Sequence, residues 1–268
     1  MIRKLKENDI RLVLDFVYLR ERENLFVIGA FDIYKKPFES NCFYGFFEND
    51  RLLGLATFFK RWGSFVVSAH DPEVIKTLTD YAVREGNTIE FVPCFKEYAD
   101  VIVERLETVH RIKPKIVSQQ TVFILDLAHF HDFSTGQEIT PFEEDVDEIV
   151  LFERSIHGRN LGKPIQKIER ERINLRETFI LKVDGKIVSK ANVQGTSKQY
   201  FQIGGVGTAQ EYRGKGYAKR VVSKLCRHFF DQGLPYALLF TDDENVAAQK
   251  VYEAIGFRPD GKFVVARY

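Results

Sequence analysis

The sequence predicts an α/β protein in which one order of strands and helices occurs twice. Three observations carry that expectation. Short apolar stretches bounded by turn residues alternate with longer stretches of helical spacing. Both halves read strand, turn, strand, strand, helix, strand, helix, strand, although residue identity between them is low. The clearest change in composition, Ala128 to Thr140 (AHFHDFSTGQEIT), falls near the middle of the 268 residues and is rich in polar and turn-forming residues. The expected organisation is therefore a first domain at 1–128, a linker at 129–140 and a second domain at 141–268.

In the first half, Phe43 to Phe47 and Leu52 to Phe58 flank the turn Glu48-Asn49-Asp50, and Ser64 to Ala69 is a third strand. A helix from Pro72 to Arg84, a strand from Thr88 to Val92, a helix from Tyr98 to Val109 and a strand from Ile116 to Leu127 follow. In the second half, Pro141 to Ile156 has helical apolar spacing behind an acidic first turn, and a short helix is expected over Ile165 to Arg176. Thr178 to Val183 and Lys186 to Val193 flank Asp184-Gly185, a dipeptide that specifies a tight hairpin turn. Tyr200 to Thr208 is the third strand. Tyr217 to Phe230 places Ala218, Val221, Val222, Leu225 and Phe229 on one helix face, with Gly233 as its stop. The strand Tyr236 to Thr241, the helix Asn245 to Ile255 closed by Gly256, and the strand Lys262 to Tyr268 complete the chain.

Composition excludes several classes of function. With 44% hydrophobic and 29% charged residues, the chain has the material for a packed core and is not of the disordered type. A net charge of +1 supplies no general attraction for nucleic acid or an anionic membrane surface. The N-terminal MIRKLKENDIRLV interrupts its apolar residues with charges, so it reads as neither a signal peptide nor a membrane span. Three widely spaced cysteines argue against a disulfide framework and for a reducing, cytoplasmic setting.

The residues most suggestive of chemistry lie where the third strand of the second half meets its helix: Glu211-Tyr212-Arg213-Gly214-Lys215-Gly216-Tyr217-Ala218. A helix N-terminus leaves about four amide N–H groups without partners and carries roughly half a positive charge. Gly214 and Gly216 remove the Cβ atoms that would keep an anion at a distance, while Arg213 and Lys215 add charge, so a diphosphate is the expected ligand. The same junction in the first half, AHDPEVIK, has no glycine and two acidic residues around Pro72. It would repel an anion.

Ile203-Gly204-Gly205-Val206-Gly207-Thr208, the following Arg213-Gly214-x-Gly216-x-Ala218, and the closing Leu239-Phe240-Thr241-Asp242, Asn245, Ala248, Tyr252 and Ile255-Gly256-Phe257 together resemble the GNAT superfamily of N-acetyltransferases. One position departs from the family signature R-x-x-G-x-G/A: Glu211 stands where arginine or glutamine is usual. The resemblance spans 138–268; the first half is similar only in the order of its elements and reads as a degenerate copy.

The resemblance implies two tandem GNAT-like mixed-sheet domains, the second binding acetyl-CoA in a gap opened by a bulge in its third strand. Backbone groups of Val206 and Thr208 would hold the pantetheine arm, and amides from Arg213 through Gly214, Lys215, Gly216 and Tyr217 to Ala218 the pyrophosphate. Asn245 would bond the arm, a role compatible with its suitability as a helix cap. Tyr252 would stand near the sulfur as the catalytic residue. His157, Arg159 and Asn160, between the two early helices, and Gln202 on the third strand are candidates for contact with the acceptor, a small-molecule or peptide amine.

An alkylammonium acceptor with a pKa of about 10.4 costs about 4–5 kcal/mol to deprotonate at neutral pH. The third strand carries no acidic residue for that purpose, and Glu177, Asp242, Asp243 and Glu244 are near in sequence only, so the base stays unassigned. At its ordinary pKa of about 10, a tyrosine is a weaker acid than a thiol of about 8.5 by about 2 kcal/mol, so Tyr252 would act mainly by hydrogen bonding to the sulfur. His129, His131 and Asp132 fit a linker better than a metal site, and no metal is expected. Two other classes stay open at this point: a non-catalytic acyl-CoA sensor, which would keep the anion cradle and tolerate loss of Tyr252, and a transferase that uses aminoacyl-tRNA, which near-neutral charge disfavours.

Overall fold

The computed structural model describes all 268 residues. The chain forms two units that are not consecutive in sequence: Met1–Val122 with Phe240–Glu244 and Asp260–Tyr268, and Phe123–Leu239 with Asn245–Pro259.

The first unit begins with β1 (Ile2–Lys4), α1 (Ile10–Tyr18), α2 (Glu21–Ile33) and the single turn α3 (Pro37–Ser40). It continues with β2 (Asn41–Glu48), β3 (Arg51–Phe59), β4 (Ser64–Ala69), α4 (Pro72–Arg84), β5 (Phe91–Phe95) and α5 (Lys96–Thr108). Strands β1 to β4 pair antiparallel in order, and β4 runs parallel to β5. Asn49 and Asp50 both adopt positive φ, the geometry of the tight turn joining β2 to β3. The buried faces of α4 (Val74, Ile75, Leu78, Ala82) and α5 (Ala99, Ile102, Leu106) follow helical spacing.

Strand β6 (Ile116–Asp126) passes from the first unit into the second, which continues with α6 (Val146–His157), the single turn α7 (Lys167–Arg170), β7 (Thr178–Val183), β8 (Lys186–Thr196) and β9 (Tyr200–Thr208). Then come α8 (Tyr217–Asp231), β10 (Tyr236–Asp242), α9 (Val246–Ile255) and β11 (Arg258–Arg267). Strands β7, β8 and β9 are antiparallel neighbours, and β9 is parallel to β10. This repeats the pairing of β2 to β5, and in each unit a long helix, α4 or α8, connects the parallel pair. The order read from the sequence is thus present twice. β11 pairs antiparallel with β5 through Phe263–Arg267, so the end of the chain completes the first unit.

One face of the second unit's sheet packs on α8 and α9, with Phe201, Ile203, Val221, Val222, Leu225, Phe229 and Ile255 among the buried residues. Phe201 stacks on Phe229 with ring centroids 5.0 Å apart. Each fully buried side chain of this size contributes about 1.5–3 kcal/mol. The opposite face carries a smaller cluster of Ile149 and Phe152 from α6 with Ile180 and Ile187.

The stretch before α6 is tied to its own unit. Ile139 bridges to Ile180, and Arg227 Nε donates to Asp132 Oδ2 at 3.1 Å. The fully buried Glu138 carboxylate accepts from the Thr135 and Gly136 amides and from Arg220 Nε at 2.6 Å. Burial pushes its carboxyl up, but the Thr135 amide and the Arg220 guanidinium outweigh that and hold it below the ordinary glutamate value. Glu138→Ala leaves Arg220 facing a void, and a loss of about 3 kcal/mol in urea titration at neutral pH is expected. Because the folded-state pKa is depressed, the carboxylate's contribution is present above the unfolded value and lost as pH falls through the folded one. The gap between wild type and variant therefore narrows in acid.

Candidate active site

Pairing between β9 and β10 runs from Tyr200–Tyr236 to Ile203–Leu239, and no pair beyond it joins the two strands. On its other edge β9 carries a bulge: Asn192 pairs with Gly204 and Lys190 with Gly207, so Ala191 stands opposite both Gly205 and Val206. Gly205 takes φ +56°, which a side chain disfavours, and a Cβ there would overlap Asn192 Oδ1. Freed from β10 and bent by the bulge, Val206 to Thr208 form one wall of a cleft of about 610 Å³.

The cleft lies within the second unit. Beside Val206, Gly207 and Thr208 it is lined by Tyr212 to Gly214 and Gly216 to Lys219 of the β9–α8 junction, by Ile156 and His157 at the end of α6, and by Asn245, Ala248, Val251 and Tyr252; Lys215 does not line it and lies over the Tyr212 ring. At the junction the chain reaches α8 with Gly214 at φ +77° and Gly216 at φ +80°, and a Cβ at either would point into open space. No side chain caps α8, and no acceptor within the chain takes the amides of Gly214 to Ala218. These donors, two positive-φ glycines without a side chain to occupy the approach, and the neighbouring Arg213 and Lys215 fit a diphosphate group. The corresponding helix start in the first unit is closed to an anion: the Asp71 carboxylate accepts from the Glu73 amide at 2.8 Å, and Pro72 has no N–H to offer.

Tyr252 sits deep in the cleft. Its ring packs against Phe123 and Phe257, it is 6% exposed, and its hydroxyl makes no hydrogen bond within the chain. Burial pushes its pKa up to about 12. Against a thiol of about 8.5 that makes full proton transfer uphill by about 5 kcal/mol, so hydrogen-bond donation is the chemistry this phenol offers. Asn245 Oδ1 accepts from the Ala248 amide at 3.1 Å, so Asn245 caps α9 while facing the cleft.

The acceptor-side candidates separate. His157 lines the cleft; Arg159 and Asn160 are exposed on the adjoining loop and do not. Gln202 is 3% exposed and donates to Gln194 Oε1 at 3.3 Å rather than facing the cleft. The carboxylates near in sequence are engaged: Asp243 takes Lys262 and Thr121, Asp242 takes Ser118 and Gln120, and Glu177 takes Asn174. Asp126, His129 and Arg258 bond one another, and Asp132 holds Ser134 as well as Arg227.

Two features escaped the sequence reading. Arg154 on α6, buried, donates to the Asn160, Lys163 and Pro164 carbonyls and pairs with Glu169, and so shapes the loop that follows His157. Lys190 in mid-strand is 1% exposed and pairs with Glu153 of α6 at 2.6 Å. A lysine flanked by Ile187, Val188, Ala191 and Val193 in mid-strand was the available signal for the second.

A parallel strand pair parted beside a bulge, with an uncapped glycine-rich helix start lining the same cleft, is an α/β arrangement whose free donors fit a phosphate-bearing ligand. Residues 144–257 match the model of the acetyltransferase (GNAT) family. The fold of the whole chain is similar to that of an acetyltransferase of the GNAT family from Colwellia psychrerythraea, at 17% identity over 100% of this chain and 99% of that one, with a TM-score of 0.66. It is also similar to a tandem GNAT protein from the clavulanic acid biosynthesis pathway, at 13% identity, 100% and 98% coverage and a TM-score of 0.61. Curated relatives are the mycothiol acetyltransferases of Nocardiopsis dassonvillei and Thermobifida fusca, 38% and 35% identical over 52 residues. Those matches take in 19% of this chain and 16% of each relative. No helix is long and apolar enough to cross a membrane.

Proposed function

We propose that this protein is an acetyl-CoA-dependent N-acetyltransferase whose second half, 141–268, transfers an acetyl group directly to a primary amine. The observation that carries the reading is the cleft itself, lined both by the uncapped start of α8 with its unpaired amides and by Tyr252 with its unpaired hydroxyl. The amides from Gly214 to Ala218, with Arg213 and Lys215, would hold the pyrophosphate, Val206 and Thr208 the pantetheine arm, and Asn245 Nδ2 the arm near its reactive end. Acetyl-CoA, as acyl-donor substrate, supplies an activated carbonyl on a leaving sulfur.

The amine lone pair forms the new C–N bond, the carbonyl π pair moves to oxygen and returns, and the C–S pair leaves on sulfur. One proton departs from nitrogen and one reaches sulfur. Tyr252 stabilises the departing sulfur by hydrogen bonding, and His157 lines the side from which the acceptor enters. The acceptor is a small-molecule or peptide amine, and neither nucleic acid nor a membrane takes part. Three buried, unpaired cysteines suit a cytoplasmic setting.

The closed helix start at Asp71 supports a first half that does not bind the donor. A thiol-release assay with acetyl-CoA against a panel of amines tests the reading. Release that depends on one class of amine supports it; tight coenzyme A binding without turnover on any amine favours an acyl-CoA sensor instead.

A further inference from the structure

Behind the bulge of β9, on the face of the sheet covered by α6, lies a charged pair that no step above uses. Lys190 Nζ donates to Asn192 Oδ1 at 2.6 Å and pairs with Glu153 Oε1 at 2.6 Å. Its third N–H has no partner within the chain. A Cβ at Gly205 would stand 2.9 Å from that nitrogen, so the absence of a side chain at the bulge is what lets the ammonium lie directly behind it. The next residue, Val206, lines the cleft. Glu153 comes from α6 and is 36% exposed.

We infer that Lys190 is a positioning residue for acyl transfer, its ammonium placing positive charge behind the Gly205–Val206 peptide so that the bulge stabilises the carbonyl oxygen when the π pair moves onto it. The inference rests on the acetyltransferase reading above. Lys190 does not touch substrate, since it is buried and does not line the cleft. It acts through the backbone of the bulge, where a fixed charge in a poorly screened setting works without having to reorganise.

The role of Glu153 follows. Around the Lys190 ammonium lie Glu153 from α6, the bulge at Gly205 of β9 and Asn192 on its own strand, and Glu153 is the one charge that acts on it. Burial lowers the pKa of Lys190 while Glu153 raises it. Glu153 thus keeps the lysine charged in a place where burial alone favours the neutral amine.

The test compares Lys190→Met, Glu153→Gln and the double variant, each checked for coenzyme A binding by calorimetry. Lys190→Met is expected to lower kcat about 10- to 100-fold at every pH, with coenzyme A affinity within about twofold of wild type. Glu153→Gln is expected to keep kcat within about threefold of wild type on the acid side of its profile and to fall at least about tenfold below it at a lower pH than wild type loses activity, as the unpaired lysine gives up its proton. The ¹³Cε resonance of Lys190, assigned by its loss in Lys190→Met, is expected to titrate where activity falls in Glu153→Gln and at higher pH in wild type. The double variant removes both charges together, folds where a single buried charge prevents folding, and is expected to match Lys190→Met in rate.

Wild-type kcat in Lys190→Met or in the double variant overturns the inference. So does a Glu153→Gln protein that binds coenzyme A but is inactive at every pH, because Glu153 would then be taking the proton itself. Failure of the unaltered protein to bind coenzyme A overturns the acetyltransferase reading first, and the ¹³Cε titration, which needs no substrate, tells the two failures apart.

Discussion

Gly216→Asp is expected to weaken coenzyme A binding at least about 100-fold while leaving the protein folded. Each charge-assisted bond from the α8 amides to a diphosphate is worth about 1.5–3 kcal/mol, and an aspartate at the cap position both fills the approach and competes for the same donors. The first unit already shows that arrangement, with Asp71 occupying its own helix start. A Cβ at Gly216 meets no atom within 4 Å, so the cost to stability comes from φ +80° alone. That cost is about 1–2 kcal/mol, partly offset by the new cap. Calorimetry with coenzyme A and a thermal unfolding curve measure the two effects separately. Gly216→Ala, which adds bulk without charge, is expected to lose less affinity.

Tyr252→Phe is expected to lower kcat about 100-fold with the coenzyme A dissociation constant unchanged within about twofold. The substitution keeps the ring against Phe123 and Phe257, so packing survives. What is lost is one buried donor toward a developing thiolate, worth about 2.7 kcal/mol or more where water is excluded. With its pKa pushed up to about 12, the phenol keeps its proton across the working range. The pH–rate profile of the wild type therefore gains no alkaline limb from Tyr252 below about pH 11. Unchanged turnover in Tyr252→Phe would leave the cleft a binding site with no role for its buried tyrosine hydroxyl.

Where local pattern decides structure, the sequence was readable. β7, β9 and α4 have the bounds that alternation, Pro72 and turn residues set, and α8 is one residue longer than its apolar spacing indicates. Asp184 and Gly185 both take positive φ in the expected hairpin. The uncapped, glycine-flanked start of α8 and the cleft-facing Tyr252 were likewise written in consecutive residues or at fixed helical offsets.

Departures have identifiable causes. β5 lies at Phe91–Phe95 rather than 88–92, because Pro93 disguises a strand that pairs with β11. The helix expected over 165–176 shrinks to the single turn α7, since its alternating charges supply no apolar face to bury. Helix α2 buries consecutive residues around its circumference, Asn24, Leu25, Val27, Ile28, Gly29 and Ala30 among them, so no apolar stripe marks it. Pairings between residues far apart in sequence were not readable at all. That β11 completes the first unit, or that Glu153 meets Lys190, depends on which strands and helices become neighbours. A slip of alternation at Val188, where Ser189 pairs with Leu181 and Ile187 with Lys182, further hides which face Lys190 occupies.

If the unpaired main-chain donors at the start of α8 hold a diphosphate, coenzyme A binds there. Calorimetric titration of the unaltered protein with coenzyme A, set beside the Gly216→Asp variant, tests it most directly. Saturable heat with a micromolar or tighter dissociation constant is expected for the wild type, and none for the variant over the same concentrations. Equal heats from the two proteins, or none from either, would contradict it.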